Sequence, residues 1–129
     1  MENIESVPLH ITKDERGWII RPPAIESFGS AHLHIPSLRP RAVRGNHYHQ
    51  AHTEAVIILG GTCLIAARNI ETGHYEEFVY DGVIKQLFLI RPNITHAFKN
   101  LFYRSIYLIC YYQGPQDIPV SSMKDHILT

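Results

Sequence analysis

The densest group of chemically capable residues is the segment RGNHYHQAHTE, which spans residues 44–54. In an extended strand the side chains alternate between faces, so His47 and His49 share one face at a spacing of about 7 Å. A short turn through residues 50–53 is expected to return Glu54 on a neighbouring strand. Two imidazoles and a carboxylate form a donor set that suits Zn, Fe, Mn, Co or Ni.

A fourth candidate ligand lies in the segment PNITHAFKN, residues 92–100. Strand alternation places His96 on the face opposite Lys99, and Lys99 is expected to face water. A His-x-His pair alone is also typical of hydrogen-bonded core histidines or of edge residues. With Glu54 and an inward His96 added, the pattern favours a divalent metal site that keeps a position open for water or substrate.

The elements that must position these residues are short strands separated by turns. Apolar or alternating runs such as Glu54–Leu59, Tyr75–Tyr80 and Gln86–Ile90 are bounded by Gly, Pro and Asp-Gly turns. Nine or ten such strands in 129 residues predict an all-β antiparallel sandwich or small barrel, folded as one domain over residues 1–129. Only the tail, Ser121–Leu128, carries signals for a short helix.

Composition excludes several classes of function. Lys plus Arg and Asp plus Glu both number 12, so the chain has no basic field for binding nucleic acid. Its longest apolar run, Ile106–Tyr112, is far shorter than the roughly 20 residues of a membrane helix. No signal peptide is visible, and the two cysteines lie in apolar runs, so we expect a cytoplasmic protein with free, buried thiols.

The two histidine segments resemble the motifs of the cupin family. The first cupin motif, with its His-x-His, Glu and Gly, matches His47, His49, Glu54 and Gly61. The second matches Pro92, His96 and Asn100 but lacks the inner Gly and is one residue short between Pro and His. The resemblance implies a double-stranded β-helix, or jelly-roll barrel, whose metal is held by the three histidines and the glutamate.

A narrower resemblance is to cupins that act on keto-sugar nucleotides. Residues 14–18, DERGW, and residues 44–48, RGNHY, are similar to segments of dTDP-4-dehydrorhamnose 3,5-epimerases. Position 49 differs from those enzymes, which carry Gln there. The His-x-His pattern after Arg-Gly is instead similar to that of dTDP-sugar 3,4-ketoisomerases. The run RGNHYH resembles the cupin domain of capsular-polysaccharide-synthesising enzymes that use UDP-sugars. These likenesses imply an epimerase or isomerase of a nucleotide sugar.

Such a reaction needs a base, an acid and a group that stabilises an enolate. By resemblance His47 is the base, with His49 as its partner or as a second base. Tyrosine is the natural acid, and Tyr107 and Tyr111 on the late apolar strand are both candidates. A metal-bound imidazole has no lone pair left for a proton, so His47 cannot be ligand and base at once.

Contacts to substrate are expected from Arg44, Arg91 and His34. A forked guanidinium suits a diphosphate or a ketone oxygen. Strand alternation puts Arg44 on the face opposite His47, so its role in the same pocket requires the backbone to bulge at Gly45.

Two other classes of function remain open on the sequence. One is a metal-dependent oxygenase or isomerase of a small acid, and the other is a noncatalytic module that binds a sugar or a protein. A homodimer is expected from the aromatic strand Tyr103–Tyr112 and from the edge strands of a small sheet.

Overall fold

The computed structural model describes residues 1–22, 32–112 and 122–129, and regular structure in these residues is entirely β-strand. The predicted strands that begin at Glu54, Tyr75 and Gln86 are found with the predicted bounds, whereas the predicted aromatic strand Tyr103–Tyr112 begins only at Ile106. In chain order the strands are β1 Ile4–Pro8, β2 His10–Asp14, β3 Gly17–Arg21, β4 His32–His34, β5 Ser37–Leu38, β6 Val43–His49, β7 Glu54–Leu59, β8 Cys63–Asn69, β9 Tyr75–Tyr80, β10 Gln86–Ile90, β11 Ile94–Asn100, β12 Ile106–Tyr112 and β13 Ser122–Lys124.

The strands form two antiparallel sheets and a separate hairpin. The first sheet has the order β1-β10-β7-β12-β4, with β5 also paired to β12. The second sheet has the order β13-β6-β11-β8-β9, and β2 pairs only with β3. Consecutive strands β6 and β7 lie in different sheets, so the chain crosses from one sheet to the other between His49 and Glu54.

The main core lies between the inner faces of the two sheets. On β7, Val56 and Ile58 point into this core, whereas Ala55 and Ile57 point to the outer face of the first sheet. The outer face is also buried in part, because Leu9 and Leu87 pack there. The core between the sheets joins apolar side chains from strands of both, including Val56, Ile58, Ile65, Phe88, Phe98 and Leu108.

A β-bulge interrupts β6 immediately before the histidine pair. His96 on β11 is opposite His47, but the next residue, Ala97, is opposite Gly45, so Asn46 is the extra residue. Gly45 has φ +107° and Asn46 has φ +56°. The bulge predicted at Gly45 is therefore present, and it brings Arg44 and His47 to the same cavity.

The helix predicted for Ser121–Leu128 is wrong over the described residues of that segment, and Ser121 lies outside them. Ser122–Lys124 instead pair with His47–His49, and residues 125–129 continue without regular structure. The short tail covers an otherwise unpaired strand edge, whereas an isolated helix of this length is marginal.

Cys63 and Cys110 are free and buried, as predicted. Within the described ranges, no helix has the length and hydropathy that crossing a bilayer requires.

We expect Gly45→Ala to destabilise the protein more than Gly73→Ala, with the difference measured by urea unfolding. Both glycines have positive φ, but a Cβ at Gly45 would lie 2.5 Å from the His96 carbonyl oxygen, whereas one at Gly73 meets nothing within 4 Å. An alanine at a positive φ costs about 1–2 kcal/mol by itself. The clash at Gly45 should bring the loss in free energy of unfolding to about 3 kcal/mol. Equal losses would contradict the tight approach of β6 to β11.

Candidate functional site

Three imidazoles and one carboxylate meet between the two sheets. His47 and His96 are directly paired across β6 and β11, and their ring centroids are 4.7 Å apart. The His49 ring lies 5.2 Å from that of His47, on the same strand. Glu54 completes the group, and one donor atom from each of the four residues lies within 4.8 Å of every other. The structure thus brings together all four predicted metal ligands.

Glu54 reaches this group from a different direction than predicted. The expectation that a turn returns it on a strand next to β6 is wrong, because β7 pairs with β10 and β12 in the opposite sheet. Its Oε2 lies 3.0 Å from His49 Nε2 and 3.7 Å from His96 Nε2. The carboxylate therefore faces the histidines across the core, and the site links the two sheets.

His96 is held with one nitrogen lone pair directed at the carboxylate. Its Nδ1 lies 3.1 Å from the Ile94 carbonyl oxygen, which can only accept, so Nδ1 carries the proton. Nε2 is then an acceptor, it is buried, and it has no hydrogen-bond partner in the part of the chain that the structure describes. Two electron-rich atoms, His96 Nε2 and Glu54 Oε2, thus face each other. This arrangement suits a cation between them.

Burial sets the electrostatics of the cluster. Desolvation and the neighbouring His96 and His49 lower the pKa of His47 from its ordinary 6.5 to about 4. Desolvation also lowers the pKa of His96. Burial alone would raise the pKa of Glu54, but the His49 hydrogen bond and nearby imidazoles hold it below 4.5. A neutral His47 and a neutral His96 beside an ionised Glu54 are the protonation states that metal ligands require.

The cluster lies in the wall of a cavity of about 470 Å³. His34, Cys110 and Tyr112 line the same cavity, together with Arg44. The Tyr112 and His34 rings are 5.2 Å apart, and Tyr112 lies 5.9 Å from the His49 ring. Arg44 is exposed, and its Nε donates a hydrogen bond to the Ser37 carbonyl. The predicted placements of Arg44 and His34 at the cavity are therefore found.

Three predicted residues lie elsewhere. Tyr107 and Tyr111 project from the outer face of β12, opposite the face that carries Cys110 and Tyr112, so neither lines the cavity. Arg91 is exposed and lies 3.4 Å from Glu5 of β1, also away from the cavity. None of the three lies in the cavity with the histidine cluster, so the structure gives no support to their predicted roles at the substrate. Both faces of β12 are apolar, so the sequence offered no alternation by which to choose Tyr112.

A C-terminal strap, residues 122–129, supports the cluster from the outer edge of β6. The Asn46 side chain accepts hydrogen bonds from the backbone N–H groups of Ile127 and Leu128 and donates one to the Leu128 carbonyl. The Asp125 carboxylate of the strap accepts hydrogen bonds from the Thr95 and Arg68 side chains. The bulge residue next to His47 is thus fixed by the end of the described chain.

We expect the metal-free protein to lose stability as the pH falls from about 6.5 to about 4. The folded pKa of His47 is lowered, so the unfolded state takes up a proton in this interval that the folded state does not. The loss from His47 is about 1.5 kcal/mol, roughly half of the full linkage value because the ring is partly solvated. His96 acts in the same direction, and Glu54 adds to the loss at lower pH.

Urea unfolding between pH 7 and pH 4 in the presence of a chelator measures this dependence. His49 and His34 also face His47, but both are the same in wild type and in the variant, so neither accounts for a difference between the two. His47→Gln should reduce the slope, and a stability that does not change over the interval would contradict the buried, neutral imidazole.

Two comparisons of the sequence place it among known proteins. A family model described as the polysaccharide biosynthesis C-terminal domain matches residues 12–117. A curated relative, UDP-2-acetamido-2,6-beta-L-arabino-hexul-4-ose reductase of Pseudomonas aeruginosa, is 28% identical over 95 residues, which cover 74% of this chain and 24% of that protein. The chain thus spans about a quarter of the length of that relative.

The fold is shared with solved structures. An RmlC epimerase of Legionella pneumophila, crystallised with dTDP-4-keto-L-rhamnose, is 18% identical with a TM-score of 0.78, covering 99% of this chain and 75% of its own. The capsular polysaccharide assembling protein CapF of Staphylococcus aureus is 20% identical with a TM-score of 0.68, covering 93% of this chain and 35% of its own. These matches confirm the cupin jelly roll. Because the family model spans most of the sequence, this chain belongs to the polysaccharide biosynthesis C-terminal domain family.

Proposed function

We propose that this domain binds a divalent metal ion through His47, His49, Glu54 and His96. The observation that carries the proposal is the buried Nε2 of His96, an acceptor that lies 3.7 Å from the Glu54 carboxylate and has no donor among the described residues. A cation between these atoms turns their repulsion into attraction. His47 and His49 complete a donor set of three nitrogens and one oxygen, which suits Zn, Fe, Mn or Ni.

The proposed substrate is a nucleotide sugar with a ketone at C4. The cavity has the size of a small-molecule site and contains both polar and apolar lining residues. Arg44 uses its Nε–H on Ser37, so its terminal nitrogens remain for a diphosphate. Support also comes from the relatives, since the curated one is named for a UDP-hexul-4-ose and the RmlC structure holds a dTDP-4-keto sugar.

The proposed reaction moves a proton at the carbon next to that ketone. A bound metal ion supplies Lewis-acid polarisation of the ketone oxygen. Because the cluster histidines use their lone pairs as ligands, proton transfer falls to His34 and Tyr112, which line the cavity outside the cluster. His34 accepts the C–H proton and the Tyr112 hydroxyl returns one. Because the two rings are 5.2 Å apart, both groups reach the same face of the sugar, and return of the proton to another atom moves the ketone. An epimer instead requires a proton from water on the opposite face.

Burial and the nearby negative Glu54 raise the pKa of Tyr112, which keeps its hydroxyl protonated at neutral pH as a proton donor must be. We therefore infer that the domain acts as a nucleotide-sugar epimerase or isomerase in polysaccharide biosynthesis. The family description and the 4-keto sugars named for its relatives support this reading.

We expect the purified protein to retain metal after dialysis, and His47→Ala and His96→Ala to weaken its affinity by at least about 100-fold. Elemental analysis and competition with a chromophoric chelator measure the change. His126→Ala is the matched control, because this histidine is exposed and lies outside the cluster. Chelator-treated wild type gives the reference for folding by circular dichroism. Full retention of metal in both cluster variants would sink the proposed metal centre.

In heavy water and in the absence of dioxygen, we expect the protein to catalyse the entry of deuterium into a 4-keto sugar nucleotide. Tyr112→Phe should slow this exchange by about 10²–10⁴-fold, the usual contribution of a positioned acid or base. Mass spectrometry and proton NMR of the sugar measure the exchange. Tyr107→Phe is the matched control, because Tyr107 lies 47% exposed on the outer face of β12 and should keep the wild-type rate.

Three results would count against this reaction. Equal slowing by the two tyrosine variants would contradict the choice of Tyr112. Oxygen uptake without deuterium exchange would favour an oxygenase. Binding of the nucleotide sugar with no exchange would favour a noncatalytic module.

A further inference from the structure

Three donors of different chemistry lie together in the wall of the cavity that also holds the histidine cluster. A ring nitrogen of His34, a carboxylate oxygen of Glu54 and the Cys110 sulfur are all within 4.8 Å of one another. Cys110 is 2% exposed, whereas His34 is exposed and can rotate. Zinc bonds of about 2.0–2.3 Å put tetrahedral ligands roughly 3.3–3.8 Å apart, so modest side-chain rotation closes this triad around an ion.

We propose that His34, Glu54 and Cys110 form a second site, for a thiophilic divalent cation such as Zn²⁺, beside the first. Glu54 belongs to both sites. Its Oε2 faces His49 and His96, which leaves Oε1 for a second ion, and carboxylates commonly lie between metal ions about 3.5–4 Å apart. On binding, Cys110 coordinates as a thiolate and its proton passes to solvent.

Occupation of the second site blocks His34, the proton acceptor of the proposed reaction. This consequence rests on the proposed function, whereas the binding itself does not. The second site is therefore inhibitory, and it fills only when the cation exceeds what the first site takes up. Its soft sulfur donor also separates it from the first site, whose nitrogen and oxygen donors accept harder metals.

Titration of the chelator-treated protein with Co²⁺, which replaces zinc and absorbs visible light, tests the binding. We expect wild type to take up two equivalents, with a sulfur-to-cobalt charge-transfer band that appears with the second. Cys110→Ser should abolish that band, leave the first equivalent bound and weaken the second by on the order of 100-fold. Cys63→Ser is the matched control, because Cys63 is also a buried free thiol but belongs to neither donor group.

Two further variants keep the outcome decisive. His34→Ala changes an exposed residue and should also abolish the second equivalent, which covers the case in which Cys110→Ser does not fold. His96→Ala should lose the first equivalent and keep the charge-transfer band. Uptake of one equivalent by wild type, or a band that survives Cys110→Ser, would overturn the second site. A band that forms with the first equivalent would make Cys110 a ligand of the first ion, which would also overturn it.

Excess Zn²⁺ tests the inhibitory role. Deuterium exchange by wild type should fall at least about tenfold once the second equivalent binds, and each variant is compared with itself before and after zinc. If excess Zn²⁺ slows deuterium exchange by Cys110→Ser as much as it slows exchange by wild type, the inhibitory role is overturned. If wild type has no exchange activity at all, the proposed function fails, while the cobalt titration still decides whether the second site exists.

Discussion

The burial of the Glu54 carboxylate is the constraint around which the rest of the site is arranged. An ionised group that is 4% exposed costs several kcal/mol unless it is paired, and apolar core residues continue from it along β7. Its compensation comes from the facing sheet, through a hydrogen bond from His49. The two sheets of the jelly roll are therefore joined by a polar cluster where a wholly apolar core would otherwise continue.

The backbone of β6 is shaped to serve this cluster. Gly45 approaches the His96 carbonyl so closely that no side chain fits, and the extra residue Asn46 restores His47 to the inner face. The Asn46 side chain then holds the C-terminal strap, so one residue sets both the direction of His47 and the cover of the strand edge. Bulges next to functional sites commonly redirect a side chain in this way.

The arrangement separates two kinds of histidine. His49 and His96 are buried within the cluster, whereas His34 is exposed at the cavity beside Tyr112. In the proposed reaction, this separation resolves the conflict between ligand and base that arises when both roles are assigned to His47. A ligand needs a fixed lone pair in a dry site, and a proton acceptor needs access to substrate. The fold provides both environments within one cavity.

The sequence alone determined the strand-and-turn pattern and the four-residue cluster. Period-two alternation puts His47 and His49 on one face and turns His96 away from Lys99, and these local rules hold because the pleat fixes side-chain direction. The same rules failed on β12, where apolar residues on both faces hid which tyrosine points inward. Tertiary structure decided that Glu54 reaches the histidines from the opposite sheet, that Tyr112 and Cys110 join the cavity, and that the tail is a strand. Each of these depends on which strands pair and on which edge needs cover, and these are contacts between residues far apart in the chain that no local pattern encodes.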